Sequence, residues 1–351
     1  MQGLSILDTR QELLDALARH RKLDGSPNIR AMAQDLGISR STVRRHLDKM
    51  KLHVEEGLQF PDFPDDDISV EKIIDLQCDR INKRKASYEA HTWYPVKVPA
   101  GPLGVLWFGD PHVDDKGCNM PLLKEHIDIC KKTPDMYGAN IGDTTNNWSG
   151  RLIKLYANQE TSVKTARKLA KWFMLDAGVE WLVWIFGNHD QWGDGSDILK
   201  LIGGHKIVMH DWEARFRLVW PDETEIRINA AHDFKGHSQW NPGHGPMKEA
   251  QMGEQADLYV CGHKHNWYTS SWETAQRGGG VANIARVRGY KYLDEYARNL
   301  GIREQDCGAS CVTIFRPYAS DASERVQIIY DVEYAARILK MERAWFNRRK
   351  A

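Results

Sequence analysis

The chain has no long apolar run, no excess of one charge and no cysteine framework. No stretch approaches the ~18 consecutive apolar residues that a membrane-crossing helix needs, and no signal-peptide pattern follows Met1. The expectation is a protein that stays in the cytoplasm, away from membranes. Its 48 basic and 48 acidic residues cancel, which excludes a global polycation that would advertise nucleic acid, so local patches must carry any such role. The six cysteines, at 78, 118, 130, 261, 307 and 311, contain no C-x-x-C pair. That excludes a disulfide-stapled secreted domain and points to reduced thiols. There is no internal repeat and no low-complexity tract. At 351 residues the chain is long enough for a sizeable core and two or more domains.

What is present is a set of five apolar runs, each ending in a polar residue that binds metals or moves protons. The central one is Leu182-Val-Trp-Ile-Phe-Gly-Asn-His-Asp190. Its apolar part reads as a strand buried on both faces, and ligands of open α/β sheets sit outside the carboxyl ends of such strands. The others are Val105-Leu-Trp-Phe-Gly-Asp110-Pro-His112, Ile141-Gly-Asp143 with Asn146 and Asn147 behind it, Ile226 to His232-Asp233, and Asp257 to Gly262-His263-Lys264-His265. All five deliver Asp, Asn or His to a strand end and are expected to meet on one rim. Gly109, Gly142, Gly187 and Gly262 are expected to let the backbone turn sharply there.

The ordered set D-x-H, G-D-x-x-N, G-N-H-D, H and G-H-x-H resembles the calcineurin-like metallophosphoesterase superfamily over residues 103–316. The resemblance implies an α/β (α+β) fold, a four-layer β-sandwich flanked by helices, with a two-metal site. It implies that Asp110, His112, Asp143 and His265 hold a first metal. Asp143 bridges to a second, completed by Asn188, His232 and His263. His189 falls on the family's catalytic histidine, and Asn146 and Asp190 complete the catalytic group.

Chemistry asks for such a set independently. A phosphodiester is anionic and repels hydroxide; two metals about 3.5–4 Å apart clamp the phosphate and lower the pKa of water. A carboxylate such as Asp143 holds two cations that close, and neutral imidazoles keep them Lewis-acidic. Mixed N/O ligation suits Mn²⁺ above all, with Fe, Zn, Ni or Co next, rather than Ca or Mg. No cysteine falls among these positions, which argues against a closed structural zinc site.

The remaining segments divide into an N-terminal unit, a linker and two closing pieces. Residues 1–55 are expected to form a small all-α helix-turn-helix domain. Leu4, Leu7, Leu13, Leu14 and Leu17 make a helical face, and Asp24-Gly-Ser-Pro27 breaks it. Ile29 to Leu47 resembles the motif itself: Met32, Ala33 and Leu36 inward, Gly37 in the turn, Ser39 as N-cap, and Ile38, Val43 and Leu47 anchoring the second helix. Arg40, Ser41, Thr42, Arg44 and Arg45 are left exposed, where recognition helices contact DNA. The same shape also serves protein–protein contacts and leaves a homodimer open. Residues 51–60 could form a wing.

Residues 56–93 read as an acidic linker, Pro61 to Asp67, followed by an amphipathic helix from Ile68 to about Ala90. The metallophosphoesterase-like domain spans 94–333, with helices at Pro121–Lys131 and Gln159–Leu175, the latter turning Val163, Ala166, Leu169, Ala170 and Phe173 inward. A hairpin is expected at 213–231. Residues 234–246, with His237 and His244, read as a specificity loop, and 277–292 as a Gly-rich loop with cations and aromatics suited to single strands. Residues 334–351 form a basic helix.

Together these readings favour a DNA-cleaving phosphodiesterase, an endonuclease or structure-selective nuclease targeted by its own helix-turn-helix. One departure matters: repair nucleases of the superfamily place a histidine where Asn146 stands. The alternative is a phosphomonoesterase acting on protein, nucleotide or DNA ends, with the N-terminal domain as a recruiting module.

Overall fold

The computed structural model describes residues 6–23, 25–51, 67–204, 207–274, 280–292 and 310–350. Residues 52–60 of the expected wing, residues 61–66 of the expected acidic linker, Leu4, and the glycines at 278 and 279 lie outside the described residues. The chain divides into two compact units, Met1–Asp75 and Leu76–Ala351.

In the first unit, helices α1 (Ile6–Arg19), α2 (Ile29–Asp35) and α3 (Arg40–Lys51) enclose a core of Leu13, Ala16, Met32, Ala33 and Val43, flanked by Leu36, Ile38 and Leu47. The turn between α2 and α3 needs a left-handed residue, and Gly37 supplies it at φ +61°. Ser39 caps α3, its Oγ accepting from the Thr42 backbone N–H at 3.1 Å. Arg40, Ser41, Arg44 and Arg45 are exposed and Thr42 is half-buried. Helix α4 (Val70–Ala90) follows, with Ile73, Ile74, Leu76 and Ile81 all exposed.

The second unit is built from two facing six-stranded sheets. One runs β12-β11-β2-β3-β4-β5, the other β1-β6-β7-β8-β10-β9. Their strands are β1 (Thr92–Lys97), β2 (Leu103–Phe108), β3 (Met136–Asn140), β4 (Trp181–Phe186), β5 (Met209–Asp211), β6 (Glu213–Val219), β7 (Glu225–Ala231), β8 (Leu258–Cys261), β9 (Tyr268–Thr274), β10 (Gly280–Arg286), β11 (Cys311–Phe315) and β12 (Val326–Ile329). Strand β2 shows why the layers form: every residue is buried, and alternate side chains serve two cores. Leu103, Val105 and Trp107 meet Phe216, Leu218, Ile228 and Val260 between the sheets. Leu106 and Phe108 meet the helices α5 (Met120–Lys132), α6 (Val163–Lys171), α8 (Gly195–Gly203) and α10 (Val332–Lys350) outside, and α7 (Asn188–Gln191) is a single turn that follows β4. Helix α9 (His244–Met252) covers the far sheet through Ala250 against Tyr259 and Ile284. The order helix, sheet, sheet, helix is the four-layer sandwich expected.

Several local expectations fail for identifiable reasons. The single helix expected over 159–175 starts only at Val163 and is two pieces, α6 and a π-turn Trp172–Asp176, preceded by a separate 3-10 stretch Gly150–Asn158. Ser162 starts α6 by accepting from Thr165 N–H, and Gln159 is turned aside to bond Asp114, so Val163 is exposed rather than inward. The loop expected over 234–246 ends in α9, and His237 and His244 are exposed. The loop expected over 277–292 holds a central strand. Residues Gly280–Arg286 pair with β9 and Asn283–Arg286 also with β8, and Arg286 and Tyr290 are fully buried. Small residues in that strand hid its burial, because Gly and Ala weaken the apolar signal that marks a strand.

Candidate metal centre

Strands β2, β3 and β4 run parallel, as do β7 and β8, so their carboxyl ends share rims and their following loops converge. Three overlapping groups result: Asp110, His112 and His265; His112, Asp143 and His189; Asp143, His232 and His263. Within each, the ligand atoms lie within 4.8 Å of one another. Asn188 joins the third group, its Oδ1 at 3.0 Å from His232 Nε2. Every residue predicted as a ligand is therefore brought to one place.

The backbone explains how. Asp110, His112, Asp143, His263 and His265 all adopt left-handed φ, between +39° and +66°. Asp, Asn and His tolerate that region best among residues with a Cβ, and each such turn costs on the order of 1–3 kcal/mol, which the surroundings must offset. They do so by hydrogen bonds between the loops: His112 N–H to Asp143 O at 3.0 Å, His263 N–H to Asp110 Oδ2 at 2.8 Å, and His189 N–H to Asp143 Oδ1 at 2.9 Å. The neighbouring glycines act differently from expectation. Only Gly142 has positive φ (+110°); at Gly109 and Gly262 the reason is proximity, since a Cβ would meet Arg288 O at 2.5 Å and Asp110 Oδ2 at 2.6 Å.

The electrostatics are those of a cation site. Burial pushes the Asp110 carboxyl up to about 7, with Asp143 adding to the shift. Asp143 is also buried, yet His232, His189 and His112 hold it well below the usual carboxylate range. Burial opposes a charge on His232, but Asp143 and Asp110 override it and raise this imidazole to about 10. Burial lowers His112, His189 and His263. The cluster thus concentrates negative potential on a proton at His232, where a metal would compete. Asp110 Oδ1 and His112 Nδ1 are buried without a hydrogen-bond partner, a costly state for polar atoms removed from water. Carboxylate, imidazole and amide donors fit a divalent metal of the first transition row.

The three residues read as catalytic occupy different positions. His189 stands between Trp148 and Trp192, ring centroids 5.1 and 4.2 Å away. Its Nδ1 lies 2.5 Å from the Asn146 carbonyl and its Nε2 3.9 Å from Asp143 Oδ2. Nδ1–H donating to that carbonyl leaves Nε2 to face the centre. Asn146 contributes that carbonyl, while its side chain donates to Asp115 at 2.7 Å. Asp190 accepts from Thr144 N–H at 2.9 Å and Gly187 N–H at 3.0 Å, clasping the two loops that carry Asp143 and His189.

Three contributors were not legible in the motifs. Arg286, fully buried, donates to Gly262 O at 2.7 Å and to Asp233 Oδ1 at 3.0 Å, tying together the residues beside His263 and His232. Lys291 lies 3.1 Å from Asp115 and 5.3 Å over the Trp148 ring. Trp212 sets its ring 5.1 Å from His232. The only signal for Arg286 was its place at the end of a run of small and apolar residues.

No protein-family profile and no curated protein sequence matches the chain. Several solved structures are similar to it at low identity and low overlap. A metallophosphoesterase from Sphaerobacter thermophilus is 12% identical, with 65% of this chain and 87% of that one covered and a TM-score of 0.34. The Pseudomonas putida nuclease MPE is 14% identical over 64% and 87%, TM-score 0.29. Vps29 of Entamoeba histolytica, in complex with zinc, is 11% identical over 64% and 97%, TM-score 0.34. The chemistry rests on the residues above and not on these likenesses.

Proposed function

We propose that the chain is a metal-dependent phosphoesterase of the calcineurin-like type, and that its substrate bond is a phosphodiester of DNA. One observation carries the reading: two candidate ligand groups share the Asp143 carboxylate, so one side chain would serve two cations. Asp110, His112, Asp143 and His265 would hold one, and Asp143, Asn188, His232 and His263 the other, with Mn²⁺ the best match to the donor set. Bound there, the metals would neutralise phosphate charge and lower the pKa of water.

The chain's own residues do the rest. The Asn146 carbonyl and the Trp148 and Trp192 rings fix the His189 imidazole, so that Nε2 is aimed to exchange a proton with the oxygens of the reacting phosphate. Asp190 keeps the loops of Asp143 and His189 in register. Exposed Arg40, Arg44 and Arg45, with Ser41 and Thr42, would give the N-terminal helix-turn-helix its grip on DNA phosphates and bases.

Turnover with Mn²⁺ on a chromogenic monoester, a chromogenic diester, single-stranded DNA and duplex DNA tests this, with Asp143→Asn as control. Cleavage of the diester and DNA, lost in the control, is the expected result. Activity on the monoester alone would make the protein a phosphomonoesterase and the N-terminal unit a recruiting module.

A further inference from the structure

Beside His265 the chain continues as Asn266-Trp267, and across from it runs Arg288-Gly289. The two segments are pressed together: a Cβ on Gly289 would sit 2.7 Å from the His265 ring, and Tyr290 N–H bonds Asp110 O at 3.2 Å. Arg288 is only 5% exposed, yet its Nε and Nη1 have no hydrogen-bond partner. No carboxylate pairs with it among the described residues. Its guanidinium lies 5.9 Å over the Trp267 ring. The Asn266 Oδ1 is likewise buried and unpartnered. Trp267 itself is half exposed (51%) and braced edge-on by Tyr330 at 5.1 Å.

Cation–π contact accounts for too little. It does not replace the hydrogen bonds that a guanidinium gives up on leaving water, and a buried donor on a charged group left unpaired costs more than a neutral one. A guanidinium held ready, with no acceptor, in contact with a metal-ligand loop asks for an anion.

We propose that Arg288, Trp267 and Asn266 form a nucleotide subsite flanking the metal centre: Arg288 takes the phosphate next to the scissile one, Trp267 stacks its base, and Asn266 accepts from a base N–H. This rests on the phosphodiesterase reading and narrows it. A base that lies on an indole face has left its duplex stack, so the subsite selects single-stranded or locally opened DNA. The exposed indole is what favours a nucleotide over a phosphorylated peptide.

The test uses the full-length, Mn²⁺-loaded protein and its Arg288→Gln, Arg288→Lys and Trp267→Ala variants. Methyl p-nitrophenyl phosphate has one phosphate and no nucleobase; tetrathymidylate has both features, and a tetramer with abasic sugars keeps only the phosphates. Arg288→Gln should lose roughly 10- to 100-fold in kcat/KM on both tetramers and stay unchanged on the small diester, which doubles as the folding control. Arg288→Lys should recover part of the loss. Trp267→Ala should lose roughly 5- to 100-fold on tetrathymidylate alone. Equal losses on all substrates, or none on the tetramers, overturn the subsite. Anisotropy of labelled tetrathymidylate separates the two readings. If wild type cleaves no diester, the phosphodiesterase reading falls, while binding weakened by Arg288→Gln upholds the subsite and binding indifferent to it removes it.

Discussion

The two halves of the metal rim are finished to different degrees. On the β7–β8 half, His232 and the residues next to the candidate ligands are held from behind. His232 Nδ1 donates to Ile141 O at 2.8 Å, which fixes the tautomer and aims Nε2 at Asn188, His263 and Asp143. Arg286 locks the adjoining residues Asp233 and Gly262. On the β2–β3 half, His112 Nδ1 and Asp110 Oδ1 have no partner. Outer-shell hydrogen bonds orient ligands and raise their basicity, so the β7–β8 half is preorganised while the other depends on the ion to order it. Two unequal binding steps are the expected consequence, the tighter at His232, His263, Asn188 and Asp143. A calorimetric Mn²⁺ titration with a single phase of two identical sites would contradict this.

His189 gives the largest expected effect, and its outcome also decides which half it belongs to. It stands within ligand distance of His112 and Asp143, yet its ring is fixed by Asn146 and two tryptophans. If it moves protons, His189→Ala should keep its metal content and slow turnover by about 10²–10⁴-fold. Loss of one metal equivalent, read by elemental analysis, would instead make it a ligand of the weaker half.

Arg286 tests the stronger half. Arg286→Met removes both ties while keeping much of the volume, and loss of such outer-shell support typically costs about 10- to 100-fold in metal affinity or activity. The tight phase of the titration should weaken and the loose phase stay. If both phases move together, Arg286 is holding the fold and not one half of the site.

That asymmetry also marks where the sequence could be read. Polar ends of fully apolar runs are visible because a strand buried on both faces leaves no other place for Asp, Asn and His; hence the seven candidate ligands that the fold brings to one rim, Asp110, His112, Asp143, Asn188, His232, His263 and His265, were legible. The four layers follow from the same runs, since Leu103 to Phe108 need cover on both sides. What supports the ligands was not legible. Arg286 lies in a strand of small residues that mimics a loop, and Lys291 reaches Asp115 from 176 positions away in the chain (291 − 115). Long-range pairing of a buried cation leaves no periodic trace. The break in the helix expected over 159–175 was hidden for the same reason: Gln159 bonds Asp114 from a distant loop.

Acidity should act on the stronger half through one proton. His232 is raised to about 10 by Asp143 and Asp110 despite its burial, against an ordinary value of about 6.5. A group raised on folding stabilises the protein fully below its unfolded value and ceases to as pH climbs through the folded one. The metal-free protein should therefore lose stability between about pH 6.5 and 10, and a cation that displaces this proton should bind up to about tenfold more tightly per pH unit in the same window. Tm measured with and without Mn²⁺ across pH 7–9 checks both signs; a metal-free Tm that rises with pH would show that His232 is not the proton's seat.

The smallest effect lies in the N-terminal unit, which differs from the rim in depending on surface charge rather than on buried geometry. Arg40, Arg44 and Arg45 are exposed, and among the described residues none is held by a carboxylate within 4 Å. Nothing preorganises them, so they should contribute by counterion release alone. Replacing Arg44 and Arg45 with Ala should reduce the slope of log K against log salt for duplex binding by about 1.8 if each meets a phosphate, with turnover on a small chromogenic diester unchanged. A slope that stays the same would remove α3 from the phosphates and leave the unit as a surface for a protein partner, the one place in this chain where charge without geometry would have been misread as a grip on DNA.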